Sequence, residues 1–224
     1  MGYYLKALDI RKSIYGEKHQ SVASLYNNIA YGYDDLKQYE KAVEYYLKAI
    51  NIERSISGET QGSIAISYMN LALTYENLGQ NEAEIECRLK ALEIRRFIYG
   101  EQHKETADST FDMGLVYVKL KDSHKALEYL LRALNIYRFL YGDKHKKTAI
   151  SYYQAATQFK RVKDDQKAIK YYLKARSIYK FLLRTASSSE ITDYFQGRII
   201  RVNRDLKDYQ QKLEYLQEET CEIS

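Results

Sequence analysis

The 224 residues carry 35 Lys and Arg against 30 Asp and Glu, a formal charge of +5, with ten glycines and no proline. The charges are interspersed, which argues against nucleic-acid binding, and no apolar run approaches the roughly 18 residues of a membrane span, which argues against membrane insertion. A chain rich in Leu, Ala, Glu, Lys and Tyr and free of proline is expected to be all-helical. Cys87 and Cys221 lie far apart without CxxC spacing, and the chain starts with no signal-peptide pattern, so a reducing, cytoplasmic setting is expected.

The sequence repeats every 42 residues without insertion or deletion over four copies. Gly16, Gly58, Gly100 and Gly142 keep this step, as do Leu5, Leu47, Leu89, Leu131 and Leu173, and Ala7, Ala49, Ala91, Ala133 and Ala175. The aromatics Tyr33, Tyr75, Tyr117 and Phe159 form another such series. A period of this length marks a solenoid, in which each unit buries its apolar face only against its neighbours. In chain order the pattern predicts one elongated array. An unpaired helix B at 3–15 is followed by two-helix repeats at 19–57, 61–99, 103–141 and 145–183, and by a degenerate capping repeat at 187–220.

The first helix lacks a helix A before it, so half of its stripe is expected to be exposed, and end-to-end self-association through Leu5, Leu8 and Ile10 is one consequence. Within the repeats, Tyr26, Ile29, Ala30 and Tyr33 place one stripe on helix A, repeated as Tyr68, Leu71, Ala72 and Tyr75. Helix B carries Ala42, Tyr46 and Ala49, and later Ala168, Tyr172 and Ala175, so small residues on both helices allow close antiparallel packing. Segments 34–38, Gly79-Gln80 and Lys121-Asp122 read as the turns from A to B. Cys87 occupies the place of Tyr3, Tyr45, Tyr129 and Tyr171 and reads as a packing residue. His19, His103 and His145 recur at the unit junction, where equivalent points of neighbouring units lie about 10 Å apart in a helix stack, too far to share a metal ion, and read as residues that hold the start of helix A. Near the C-terminus, 207–215 echoes 37–45 two residues late, with Lys212 in place of the small residue, as in a terminal cap.

The segments Ala-Leu-Asp-Ile-Arg-Lys at 7–12, Tyr-Gly-Glu-Lys-His at 15–19, Leu-Tyr-Asn-Asn-Ile-Ala at 25–30 and Tyr39-Glu40-Lys41-Ala42 resemble tetratricopeptide repeats. The likeness is to the 42-residue form found in kinesin light chains and nephrocystin-like proteins, and it covers roughly residues 3–183. It implies a right-handed α-solenoid of about five antiparallel helix hairpins, with the A helices lining a concave groove. Two departures stand out. Lys18, Gln20, Lys104 and Lys146 occupy places where the family has prolines, and Glu84 and Arg88 replace a small residue and an aromatic or Leu, so the second hairpin is expected to pack more loosely.

One helix A position holds Asn28, Asn70, Asp112, Gln154 and Gln196 in successive copies. A short polar group beside a buried stripe is costly unless it meets solvent or a ligand, and an amide offers a donor and an acceptor to any peptide bond. The resemblance implies that Asn28 and Asn70 hydrogen-bond the backbone of an extended peptide. Other positions expected in the groove are Asn27, Tyr31, Asp34 and Asp35 in the first unit and Met69 and Leu73 in the second. Phe111, Leu115 and Lys119 follow in the third, and Tyr153, Lys160 and Arg161 in the fourth. No catalytic motif, phosphate loop or metal-ligand spacing is present, so no enzyme activity, cofactor or metal is expected. The expected role is an adaptor or scaffold that binds a protein or peptide ligand. A peptide-sensing regulatory domain of a larger protein and a self-assembling structural solenoid are alternatives.

Overall fold

The structure is a computed structural model that describes residues 2–58 and 62–222, the side chains of 57 and 210–222 excepted. Every regular element among the described residues is a helix: α1 (Gly2–Tyr15), α2 (Gln20–Asp35), α3 (Tyr39–Ser57), α4 (Gly62–Asn77), α5 (Asn81–Tyr99), α6 (Lys104–Lys119), α7 (Ser123–Tyr141), α8 (Lys146–Arg161), α9 (Asp165–Arg184) and α10 (Ser189–Glu222). The chain forms two compact units, Met1–Ser109 and Thr110–Ser224.

In the first unit α2 packs along α3, α3 along α4 and α4 along α5, while α1 lies on α2. Ala30, Ala42, Ala49, Ala72 and Ala91 are fully buried where helices A and B meet, and Tyr46 and Ile50 fill the space beside them. In the second unit α8 packs on both α7 and α9, and α9 on α10. Leu130 there faces Gly114, at which a Cβ would lie 2.7 Å from the Leu130 Cγ, so the glycine permits an approach that alanine would not. The aromatic series closes three of the four hairpins with a ring pair: Tyr33 stacks on Tyr45 at 5.3 Å, Tyr117 on Tyr129 at 5.5 Å, and Phe159 meets Tyr171 edge-on at 5.0 Å.

Each turn from A to B is the same device. The amide of Lys37 bonds the Asp34 carbonyl and that of Gln38 bonds the Tyr33 carbonyl, the two bonds of a Schellman cap. Gly79-Gln80, Lys121-Asp122 and Lys163-Asp164 repeat it. The first residue of each pair has positive φ, 58° at Lys37, 71° at Gly79, 62° at Lys121 and 61° at Lys163, so three lysines occupy a left-handed place that glycine would fill without strain. At the other junction Gly58, Gly100 and Gly142 combine φ of 72° to 83° with ψ near 180°, a region essentially closed to other residues, which accounts for the 42-residue glycine series.

Two expectations are corrected. The segment 187–220 does not turn back as a hairpin, because α10 runs unbroken from Ser189 to Glu222. Where the earlier units place their left-handed residue this segment has Asp205, inside the helix and accepting the Tyr153 hydroxyl at 2.9 Å. Lys212 and Cys221 lie outside the residues whose side chains are described, and Gln61 outside the described residues altogether. The second hairpin is also not loose. Glu84 and Arg88 are both buried, and the guanidinium spans from Glu84 to Glu76 with 3.0 Å bonds to each. The pair fills the volume that Ala42 and Tyr46 fill in the first hairpin.

On α1, Leu8 is buried against Val22, Leu25 and Tyr26, whereas Tyr3, Ile10 and Ile14 are exposed.

Removing one partner of a buried pair strands the other, whereas replacing both by packed apolar groups is often neutral or better. Arg88→Ala is therefore expected to cost about 3 kcal/mol in chemical denaturation, and Glu84→Ala/Arg88→Tyr, which copies the first hairpin, to unfold at or above the wild-type midpoint. At the turn, Lys121→Gly is expected to raise the midpoint by the equivalent of about 1 kcal/mol, and Gly79→Lys to lower it by a similar amount.

Candidate interaction face

In the first unit the A helices α2 and α4 stand side by side and are tied laterally. The Asn27 amide donates to the Ser67 hydroxyl at 2.8 Å, and Ser67 donates to the buried Glu53 carboxylate at 2.9 Å. Further along, the Thr74 hydroxyl donates to Asp34 at 2.9 Å. These bonds engage Asn27 and Asp34 between helices, although Asn27 Oδ1 is buried without a hydrogen-bond partner. Ser67 and Thr74 are legible in the sequence as polar residues within a buried stripe, and Glu53 as the carboxylate where Arg11, Arg95 and Tyr137 stand in other copies. Nothing in the sequence joins them, because the residues lie 14 and 40 positions apart.

The remaining groove positions of this unit are open to varying degrees. Asn28, Tyr31 and Asp35 are exposed, and Asn70 and Met69 half-buried. On α4, Ile66 is 58% and Leu73 48% exposed, which with Met69 and Asn70 gives the spacing i, i+3, i+4 and i+7. This is a second apolar stripe, opposite the one formed by Ile64, Tyr68, Leu71 and Ala72, and it carries an amide at its centre.

In the second unit Phe111 is half-buried and tilted against Tyr137 at 6.1 Å, Asp112 and Leu115 are half-buried, and Lys119 is exposed. Tyr153 is buried, and its desolvation together with its bond to Asp205 pushes the phenol up to about 12. Lys160 is bonded to Asp208 at 2.9 Å and holds that carboxyl below its usual range. Arg161 reaches the Val118 carbonyl at 3.3 Å, and Gln154 is half-buried. Several of the basic groove positions therefore already serve contacts within the unit.

The recurring histidines are helix caps. His19, His103 and His145 accept through Nδ1 from the amide two residues on, at 3.1–3.2 Å, and each ring stacks on the tyrosine four residues before it at 4.3–4.5 Å. Among the described residues no three His, Cys, Asp or Glu side chains gather as metal ligands, and no helix is long and apolar enough to cross a membrane. Cys87 is buried opposite Tyr75, and burial pushes its thiol up to about 11.

The family model of the tetratricopeptide repeat matches residues 2–55, 63–138 and 110–180. The chain belongs to the tetratricopeptide repeat family. Among solved structures this repeat protein is similar to BtubC (BKLC) from P. vanneervenii, at 23% identity and a TM-score of 0.69 over 83% of this chain and 74% of that one. It is similar also to nearly identical TPR-like repeats assigned to a kinesin light chain of Podosopora anserina, at 19% and 0.66 over 89% and 93%. The apo form of RapI matches at 21% and 0.68 over 93% of this chain and 57% of its own. At these identities the likeness is one of fold, a repeat solenoid of helix pairs. No curated protein matches by sequence. Membership in this generally non-enzymatic family makes the chain a protein-interaction or scaffold module.

The cap on α8 carries a pH dependence. Burial first, and Lys147 second, lower the His145 pKa from its ordinary 6.5, so the unfolded chain holds that proton more tightly than the folded one. The contribution is complete above about pH 6.5 and is lost as pH falls through the lower folded value. His145→Asn keeps a side-chain cap without a titrating group. Its denaturation midpoint is expected to fall less between pH 7 and pH 5 than that of the wild type, the two being equal within about 1 kcal/mol at pH 7.

Proposed function

We propose that this repeat protein acts in the cytoplasm as an adaptor whose A-helix faces hold an extended peptide or a helix of a partner protein. The observation that carries this reading is the second stripe of α4, where Ile66 and Leu73 stand exposed and Met69 half-buried around Asn70, beside Asn28 and Tyr31 of α2. A helix that is apolar on two faces needs a cover for each, and the core covers only one. The two amides suit an extended backbone, to which each can both donate and accept whatever the neighbouring side chain. The apolar groups around them suit the ligand's anchors, and Asp35 at one edge favours a ligand that is basic at that end. In the second unit Phe111, Asp112, Leu115 and Lys119 offer the corresponding positions of α6, and Gln154 that of α8.

The test compares the wild type with Asn28→Leu/Asn70→Leu, checked for equal helicity, in lysate capture followed by titration of each captured protein. Loss of at least tenfold in affinity, about 1.4 kcal/mol, is expected for the partner that uses this face. Partners retained at equal affinity would place recognition elsewhere on the molecule.

A further inference from the structure

The charges are interspersed over the chain as a whole, but the excess of +5 is unevenly placed. Residues 138–204 carry sixteen lysines and arginines against five aspartates and glutamates. Within this stretch α9 departs from the pattern of its sister helices at one telling place. In α3, Glu44 is paired one turn on with Lys48, and in α5 Glu86 is paired with Lys90. The same step puts Glu128 before Arg132 in α7, but Lys170 before Lys174 in α9. The reversal removes the stabilising i, i+4 pair and puts two like charges in its place, at a small cost to the helix. Among the described residues neither Lys170 nor Lys174 has a carboxylate within salt-bridge distance.

The surroundings extend the same character. Lys170, Lys174, Ser177, Phe181 and Arg184 follow at steps of four and three, so they form one row along α9, and all are exposed. Lys174 stands over the ring of Tyr152 and Lys144 over that of Phe181, at 5.6 Å and 4.5 Å, across a cleft of about 220 Å³ that opens between α8 and α9. Asp143 also lines the cleft; Arg138 holds it at 2.6 Å, and the charge of Lys174 adds to keeping its carboxyl below the usual range. The mouth therefore presents two cations and one paired carboxylate above an aromatic floor, beside a phenylalanine edge.

We propose that this row on α9 docks an acidic segment of a partner protein, with one carboxylate seated between Lys144 and Lys174 and an apolar side chain laid on Phe181. The surface is distinct from the A-helix face, since it belongs to helix B of the fourth repeat. A cleft of side-chain size between separated cations, with an apolar edge, suits a peptide that alternates carboxylate and apolar groups better than it suits a continuous phosphate backbone or a flat bilayer.

The test uses a fluorescein-labelled oligoglutamate peptide with a central phenylalanine, followed by anisotropy in physiological salt. Lys170→Glu restores the residue type of the sister helices, so it is expected to leave the fold intact or steadier while weakening the peptide at least about tenfold. Asn28→Leu/Asn70→Leu is expected to leave this binding unchanged, which separates the proposal from the A-helix reading. Absence of peptide binding by the wild type, or equal affinity in Lys170→Glu, would overturn it. So would tighter binding of oligothymidylate or phosphatidylserine vesicles lost through the same substitution, which would assign the row to another class of polyanion.

Discussion

The close approach of helix A to helix B through small residues is the constraint on which the other features depend. Ala30, Ala42, Ala72 and Ala91 in the first unit, and Ala126, Ala156, Ala168 and Ala175 in the second, are fully buried. With so little side chain at the crossing, each hairpin leaves a fixed volume beside the contact, and one large residue has to fill it. Tyr46 and Tyr172 do so in two hairpins, and Leu130 in a third, where Gly114 recedes to admit it. Close packing of this kind tolerates substitution only in compensating sets. Glu84 and Arg88 are such a set. A carboxylate at the alanine position is sustainable only because the residue one turn on supplies a guanidinium, and Glu76 takes the guanidinium's remaining charge.

The connections obey a parallel rule. A Schellman cap at the ends of α2, α4, α6 and α8, and a glycine of positive φ after α3, α5 and α7, fix the chain reversals at these points, whereas α9 ends on Thr185. The histidine caps set the starts of α2, α6 and α8, each by accepting from one amide of the first turn while stacking on the tyrosine that closes the preceding helix. Backbone geometry at these points is common to the copies, whereas charge and side-chain size are free to vary. That division leaves a regular scaffold with irregular faces.

Periodicity made the scaffold legible from residues alone. The glycine series marked a Gly-only backbone position, the histidines marked caps, and the alanine and aromatic series marked the crossing. What the period could not convey is how residues of neighbouring copies meet. Asn27 and Asp34 read as open groove residues because nothing in α2 itself reveals Ser67 and Thr74 of the next helix A, 40 positions later. The last segment differs for a related reason. Its echo of 37–45 suggests a turn, but Asp205, at the turn position, stays within α10 and accepts a hydrogen bond from a tyrosine 52 residues earlier. Which face an exposed residue serves was least legible of all, since α4 carries two apolar stripes and its sequence does not say which one is covered.

The places where the chain breaks its own repeat fall into two kinds, and the distinction bears on function. Some departures are compensated within the molecule: Glu84 by Arg88, Leu130 by Gly114, and Glu53 by Ser67. These belong to stability and register. Others have no compensation inside their unit. The outward stripe of α4 leaves Ile66 and Leu73 exposed to solvent, and Lys170 on α9 exchanges an ion pair for a repulsion. Local consistency is what a folding sequence is expected to preserve, and breaches of it concentrate at functional or strained sites. An apolar stripe with amides on one face and a cationic row with an aromatic edge on another are offset by different chemistry, so a single ligand would not satisfy both. A molecule with two such surfaces has the chemistry to join two partners.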